Sequence, residues 1–162
     1  MKTLQFAALY FIFLLGTMPI AASAQPYVIS TDGNEVTDQK TGLIWRRCAE
    51  GMVFSSGGTC TGSASAFTHE AALQHAVAQT GSTGIAWRLP NVKELSSIAD
   101  KSLSNPSIDS TAFPATPARA FWSASPYVGY SYDAWYVDFV NGYVYFSGRD
   151  YTYYVRLVRA GQ

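Results

Sequence analysis

The stretch AWYVDFVNGYVYFSGRDYTYYVRLVR, residues 134–159, sets two aromatic and β-branched runs on either side of Asn141-Gly142. Asn-Gly suits a two-residue type I′ turn, in which both central residues take positive φ, so the sequence predicts a β-hairpin. That turn predicts the pairs Val140 with Tyr143, Phe139 with Val144, Asp138 with Tyr145, Val137 with Phe146 and Tyr136 with Ser147. Strand alternation then sorts the hairpin into two faces. Trp135, Val137, Phe139, Val144 and Phe146 form an apolar set expected to pack on a core. Tyr136, Asp138, Val140, Tyr143, Tyr145 and Ser147 form a mixed set expected to face outward.

The outward set is rich in tyrosine. Of 11 tyrosines in the chain, nine lie at or beyond Tyr127, among Ser, Gly, Asp and Asn. Such a mixture has the composition of an antibody paratope, where rigid rings supply contact area and small polar residues supply adaptable hydrogen bonds. A sheet that is tyrosine-rich only because tyrosine favours strands is the plainer reading.

The rest of the chain bounds what the hairpin belongs to. With 162 residues, 48% hydrophobic and 14% charged, it has material for one domain with a core and none for a second. Lys2, the apolar run Phe6 to Leu15 and the small residues Ala22 to Ala24 predict a secretory signal over residues 1–24, with the mature domain covering 25–162. The apolar run is shorter than the ~20 residues a transmembrane anchor needs. Without Lys2, ten basic residues face 11 acidic ones, which argues against nucleic acid as a partner. Export into an oxidising compartment predicts a disulfide between Cys48 and Cys60, closing a glycine- and serine-rich loop without regular structure.

Along the chain, Tyr27 to Trp45 reads as an opening β-hairpin with turns at Gly33 and Gly42. Residues 67–80, FTHEAALQHAVAQT, read as a helix with Thr68 as N-cap, Ala72, Leu73, Ala76 and Val77 along one side, and Gly81 ending it. In WRLPNVKELSSIAD, Trp87 to Leu89 are extended before Pro90. Asn91 and Glu94 have capping-box spacing for a second helix from about Val92 to Ala99, burying Leu95 and Ile98. Lys101 to Arg119, with Pro106, Pro114 and Pro117, reads as an irregular connection.

Motifs for chemistry are missing. His69-Glu70 begins like the zinc-protease pattern HExxH, but Leu73 stands where the second histidine belongs, and both His69 and His75 read as surface or boundary residues. Asp100, Asn105 and Asp109 have no EF-hand spacing and read as turn and cap residues. No GxSxG segment occurs. No metal, cofactor or catalytic residue is expected.

The segments VTDQKTGLIWRRC, CTG, WRLPNVKEL, NPSIDSTAFPATP, FWSASPY, AWYVDF and YVRLVR together resemble the C-terminal domain family of bacterial collagen-like adhesins, the Lcl C-terminal domain. The resemblance implies a C-type-lectin-like fold, of α+β class, with two helices on a twisted antiparallel sheet. WRLPNVKEL and YVRLVR are also similar to landmarks of the formylglycine-generating branch. Its later catalytic cysteines have no counterpart here, so the chain is expected to be non-enzymatic.

The resemblance further implies a variable protein of a diversity-generating retroelement. Adenine mutagenesis of AAC codons yields Tyr, Ser, Asp, Asn, Gly, Val and Phe, but not Lys, Glu, Gln, Met or Trp. Residues 127–154 contain no Lys, Glu, Gln or Met, and their single tryptophan, Trp135, falls in the expected core set. The expected contacts are Tyr130, Tyr132, Tyr136, Asp138, Tyr143, Tyr145, Asp150, Tyr151 and Tyr153. Their expected ligand is a protein or glycan on a cell or phage surface. The product would be exported to periplasm, cell surface or medium, and an oligomer is compatible with the sequence. Two other readings stay open: a fixed-sequence adhesin for sulfated glycans using Arg149, and an exported enzyme with an unrecognised site.

Overall fold

The computed structural model describes residues 26–161. The signal segment expected over residues 1–24 lies outside them.

The opening hairpin is a three-stranded meander, β1 (Tyr27–Ile29), β2 (Glu35–Asp38) and β3 (Leu43–Arg46). The chain's last strand, β11 (Val158–Ala160), pairs antiparallel with β3 and completes a four-stranded sheet. At the first turn Gly33 has φ +75°, and a Cβ there would stand 2.2 Å from the Phe54 ring, so only glycine fits. The disulfide Cys48–Cys60 forms as expected, with Cα atoms 5.6 Å apart. Its loop is more regular than predicted: β4 (Val53–Phe54) and β5 (Cys60–Thr61) pair across a turn. There Ser55 N–H donates to Thr59 O at 2.8 Å and Gly58 N–H to Ser55 O at 3.0 Å.

After β6 (Ala66–Phe67), helix α1 (His69–Thr83) starts where expected, with Thr68 Oγ1 accepting from Ala71 N–H at 3.3 Å. It does not end at Gly81. Gly84 ends it in the left-handed conformation, its N–H donating to Thr80 O. An interior glycine costs a helix only about 1 kcal/mol, so Gly81 is passed over. The buried side of α1 is His69, Ala72 and Ala76, while Leu73 and Val77 face solvent. Helix α2 (Val92–Ser97) has the predicted capping box: Glu94 N–H donates to Asn91 Oδ1 at 2.9 Å and Asn91 N–H to Glu94 Oε2 at 2.8 Å. It buries Leu95, and Ile98 at its C-cap is buried beside it.

The chain is α+β, but it is not built on one antiparallel sheet. The second large sheet contains β7 (Ala120–Pro126), β8 (Asp133–Asp138), β9 (Tyr143–Gly148) and β10 (Tyr153–Tyr154), in the order β6-β10-β7-β8-β9. β10 joins β7 in parallel, through Tyr154 and Phe121. Both faces of the β7–β8 centre are covered. On one side Phe121, Val137 and Phe139 pack with Val36, Trp45, Leu95, Ile98, Phe113 and Val158. On the other Trp122 and Ala134 pack with Ala72, Ala76, Trp87, Leu89, Val155 and Leu157.

Arg156 ties these layers together. Fully buried, its guanidinium donates to the carbonyls of Arg46 and Arg47 and to Thr116 Oγ1, and lies 4.9 Å from the Phe113 ring. Burial lowers its pKa to about 9.

Candidate functional site: an aromatic groove on the β8–β9 hairpin

The hairpin forms, in a register different from the predicted one. Tyr143 pairs with Asp138 rather than Val140, followed by Val144 with Val137, Tyr145 with Tyr136, Phe146 with Trp135 and Ser147 with Ala134. Phe139 is the cause. Its ring is fully buried, its N–H donates to Arg119 O at 3.0 Å, and its carbonyl accepts from Ser107 N–H at 2.7 Å. The irregular connection thus withdraws Phe139 from the ladder, and the turn widens to Phe139–Gly142. Gly142 (φ +74°) donates to Asp138 O at 2.8 Å, Asp138 Oδ1 accepts from Val140 N–H at 2.9 Å, and Asn141 Oδ1 from Tyr143 N–H at 3.0 Å. A displacement by two residues keeps every side chain on its predicted face, because strand side chains repeat with period two.

The faces themselves depart from expectation because β9 is an edge strand lying past both cores. Of the apolar set, only Val137 and Phe139 are buried; Val144 is 36% and Phe146 45% exposed. Trp135 is half-buried, edge-on to Phe146 at 5.7 Å and to Tyr127 at 5.0 Å, and Tyr127 stacks flat on Phe146 at 4.0 Å. On the other face Tyr136 is only partly outward. Its ring meets buried Trp122 edge-on at 6.1 Å, and Tyr153 lies 4.5 Å from Trp122 and 4.7 Å from Tyr136. Tyr145 follows at 5.8 Å from Tyr136, then Tyr143 at 6.5 Å from Tyr145, with Lys101 Nζ 4.8 Å above the Tyr143 ring.

Trp122 anchors this row. Its Nε1–H donates to Phe67 O at 2.9 Å, and Tyr153 Oη donates to Ser147 Oγ at 3.1 Å. Burial, reinforced by Tyr153 and the Asp138 carboxylate, raises the Tyr136 pKa to about 12. Tyr136 therefore presents a neutral hydroxyl, able to donate and accept, across the physiological range.

Tyr136, Asp138 and Tyr153 line a cavity of about 500 Å³ with Arg119, Thr152 and Tyr154, a size suited to small-molecule or side-chain recognition. Arg119 is exposed and has no side-chain hydrogen bond or ion pair among the described residues. Tyr143 and Tyr145 extend the row beyond this groove. Tyr132, 81% exposed, and Asp150 line a separate depression with Arg149, Thr68 and His69. Tyr130 packs near Tyr127 at 6.3 Å, and Tyr151 is exposed on its own. The predicted contacts thus divide between one continuous row and its surroundings. Trp122, Arg119 and Lys101 were missed, although alternation from buried Phe121 to Trp122 in FWSASPY marks a strand covered on both faces.

The histidines have separate roles. His69 is buried, deeper than the surface or boundary position expected, because α1 turns it toward β7. Its Nε2 bonds Ser123 O at 3.0 Å, and burial lowers its pKa. His75 Nε2 meets the buried Glu50 carboxylate at 2.7 Å, which Arg46 also holds at 3.0 Å, on the wall of another cavity of about 560 Å³. Asp100 and Asp109 accept from Ser102 and Thr111 N–H as turn residues. Among the described residues no group of His, Cys, Asp or Glu is placed to hold a metal ion, and no helix is long and apolar enough to cross a membrane.

Residues 34–159, from the turn before β2 through most of β11, match the model of the Lcl C-terminal domain family. The chain belongs to the Lcl C-terminal domain family. The matched span of this Lcl domain contains the whole aromatic row and its Trp122 support. No curated protein and no solved structure matches the chain.

Proposed function

We propose that this Lcl domain is an exported recognition module that binds a protein or glycan through the row Tyr136, Tyr145, Tyr143 and Tyr153. The observation that carries the reading is the seating of Tyr136 and Tyr153 on buried Trp122, with Tyr145 and Tyr143 continuing the row from Tyr136 and with Arg119 and Asp138 on the groove rim. Rigid rings lose little entropy on binding, and a pre-formed groove avoids a reorganisation cost.

Diversification by a retroelement belongs to the same proposal. Tyr130, Tyr132, Tyr143, Tyr145 and Tyr151 are exposed, while Val137 and Phe139 hold the core, so substitution of the former leaves packing intact. A C-type-lectin-like classification of the fold, and export after cleavage before Gln25, complete the reading. The sulfated-glycan alternative gains little support: Arg149 shares its depression with Glu70 and Asp150, carboxylates that repel sulfate.

The binding test is a glycan and cell-surface protein array probed with the wild type and with Tyr136→Ala/Tyr145→Ala. Signals lost in the double variant, with its melting transition retained, support the groove; unchanged signals reject it. Diversification is tested separately, in the flanking DNA. A near-copy of the segment encoding residues 120–159, differing at adenines and lying beside a reverse transcriptase gene, supports it, and a locus with neither rejects it.

A further inference from the structure

Strand β9 closes one side of its sheet, pairing with β8 and with no other strand among the described residues. Proteins guard such edges with charges, prolines, bulges or a covering element, since bare edges recruit other strands. From Tyr143 to Gly148 there is no charge and no proline, and the ladder to β8 runs without a register shift. Tyr143, Val144, Tyr145 and Phe146 are all exposed.

We propose that the occupant of this edge is β9 of a second copy of the chain, paired antiparallel about a two-fold axis through Tyr145. Side-chain direction restricts the register. A two-fold axis perpendicular to the sheet carries the tyrosine face of one copy onto the tyrosine face of the other, and directly opposed residues point the same way. Tyr145 can therefore face its own counterpart, with Tyr143 facing the second copy's Ser147 and Val144 its Phe146.

Charge selects this register among those of the same parity. At one end of β9 Lys101 lies against Gly142, its Cγ 3.2 Å from where a Cβ would stand. At the other end Asp150 lies against Gly148, its Oδ1 2.7 Å from the corresponding point. With Tyr145 on the axis, the Gly142 turn of one copy lies beside the Gly148 end of the second copy's β9. Lys101 and Asp150 then meet twice, and neither has an ion-pair partner within its own described chain.

The pairing joins the two five-stranded sheets edge to edge and continues the tyrosine row from one copy into the next. It is made by main-chain groups, so side-chain changes on β9 leave it standing. It does not depend on what the tyrosines bind.

Sedimentation equilibrium of the mature chain is expected to show a concentration-dependent dimer. Under mild oxidation Tyr145→Cys is expected to form a covalent dimer. Opposed Cα atoms in an antiparallel pair lie about 4.5–5.5 Å apart, within disulfide reach. Val144→Cys, opposite phenylalanine, is expected not to link to itself. Lys101→Asp is expected to weaken the dimer about tenfold and Lys101→Asp/Asp150→Lys to restore it, a rescue that misfolding would not give. A monomer at every concentration, or equal linking by Val144→Cys and Tyr145→Cys, overturns the proposal. Loss of ligand binding with the dimer retained would instead concern the groove alone.

Discussion

The Tyr136 ring stands edge-on to the Trp122 ring at 6.1 Å, joining the solvent-facing aromatic row to the core beneath it. Trp122 is fully buried among Ala72, Ala76, Leu89 and Leu157, so the row is seated on a fixed platform.

Removing that platform is expected to be costly. Trp122→Ala deletes a buried indole and its hydrogen bond to Phe67, and should lower stability by about 3–5 kcal/mol in chemical denaturation. Tyr145→Ala, in the exposed part of the row, should cost under about 1 kcal/mol in the same assay. Similar losses for the two would contradict the seating described.

Stability should fall in alkali. The folded pKa of Tyr136, about 12, lies above the ordinary tyrosine value of 10.0, and Tyr27 is raised likewise, chiefly by burial. A raised pKa means the native state holds its proton longer. The stabilisation is therefore complete below pH 10 and is lost as pH rises toward 12. Tyr136→Phe should flatten that slope, measured by denaturant midpoints across the window.

Acid acts through His69, whose pKa is lowered by burial. The unfolded state takes up the proton first, so the neutral ring contributes stability above the unfolded value of 6.5, and this is lost as pH falls below it. His69→Gln should show a shallower decline between neutral pH and pH 5, whatever its starting stability.

Arg156→Met should be among the most damaging substitutions. It strips the Arg46 and Arg47 carbonyls and the Thr116 hydroxyl of their buried donor, at a cost of about 3 kcal/mol or more. Arg156→Lys should not rescue it, since an ammonium lacks the guanidinium fork. Thermal unfolding of the two variants measures both effects.

Local chemistry was legible in the sequence. Thr68 and Asn91 cap their helices as predicted, Cys48 meets Cys60, and Val137 with Phe139 enters the core. What escaped depends on distant partners. Nothing near Phe139 announces that Arg119 and Ser107 will take its backbone groups, and the hairpin register follows from that capture. Strand order is equally non-local. The outermost place of β9 exposes Val144 and Phe146, and α1 covers the face on which Tyr136 was expected to be free. Gly81, the helix end expected from the sequence, is passed over, and Gly84 three residues on adopts the left-handed backbone that ends α1.

The peripheral position of β9 has an evolutionary meaning. A strand attached along one side, with Tyr143, Val144, Tyr145 and Phe146 exposed, has few buried side chains to preserve, so substitutions there disturb the core little. Mutational tolerance and structural integrity are thereby assigned to different parts of one small molecule.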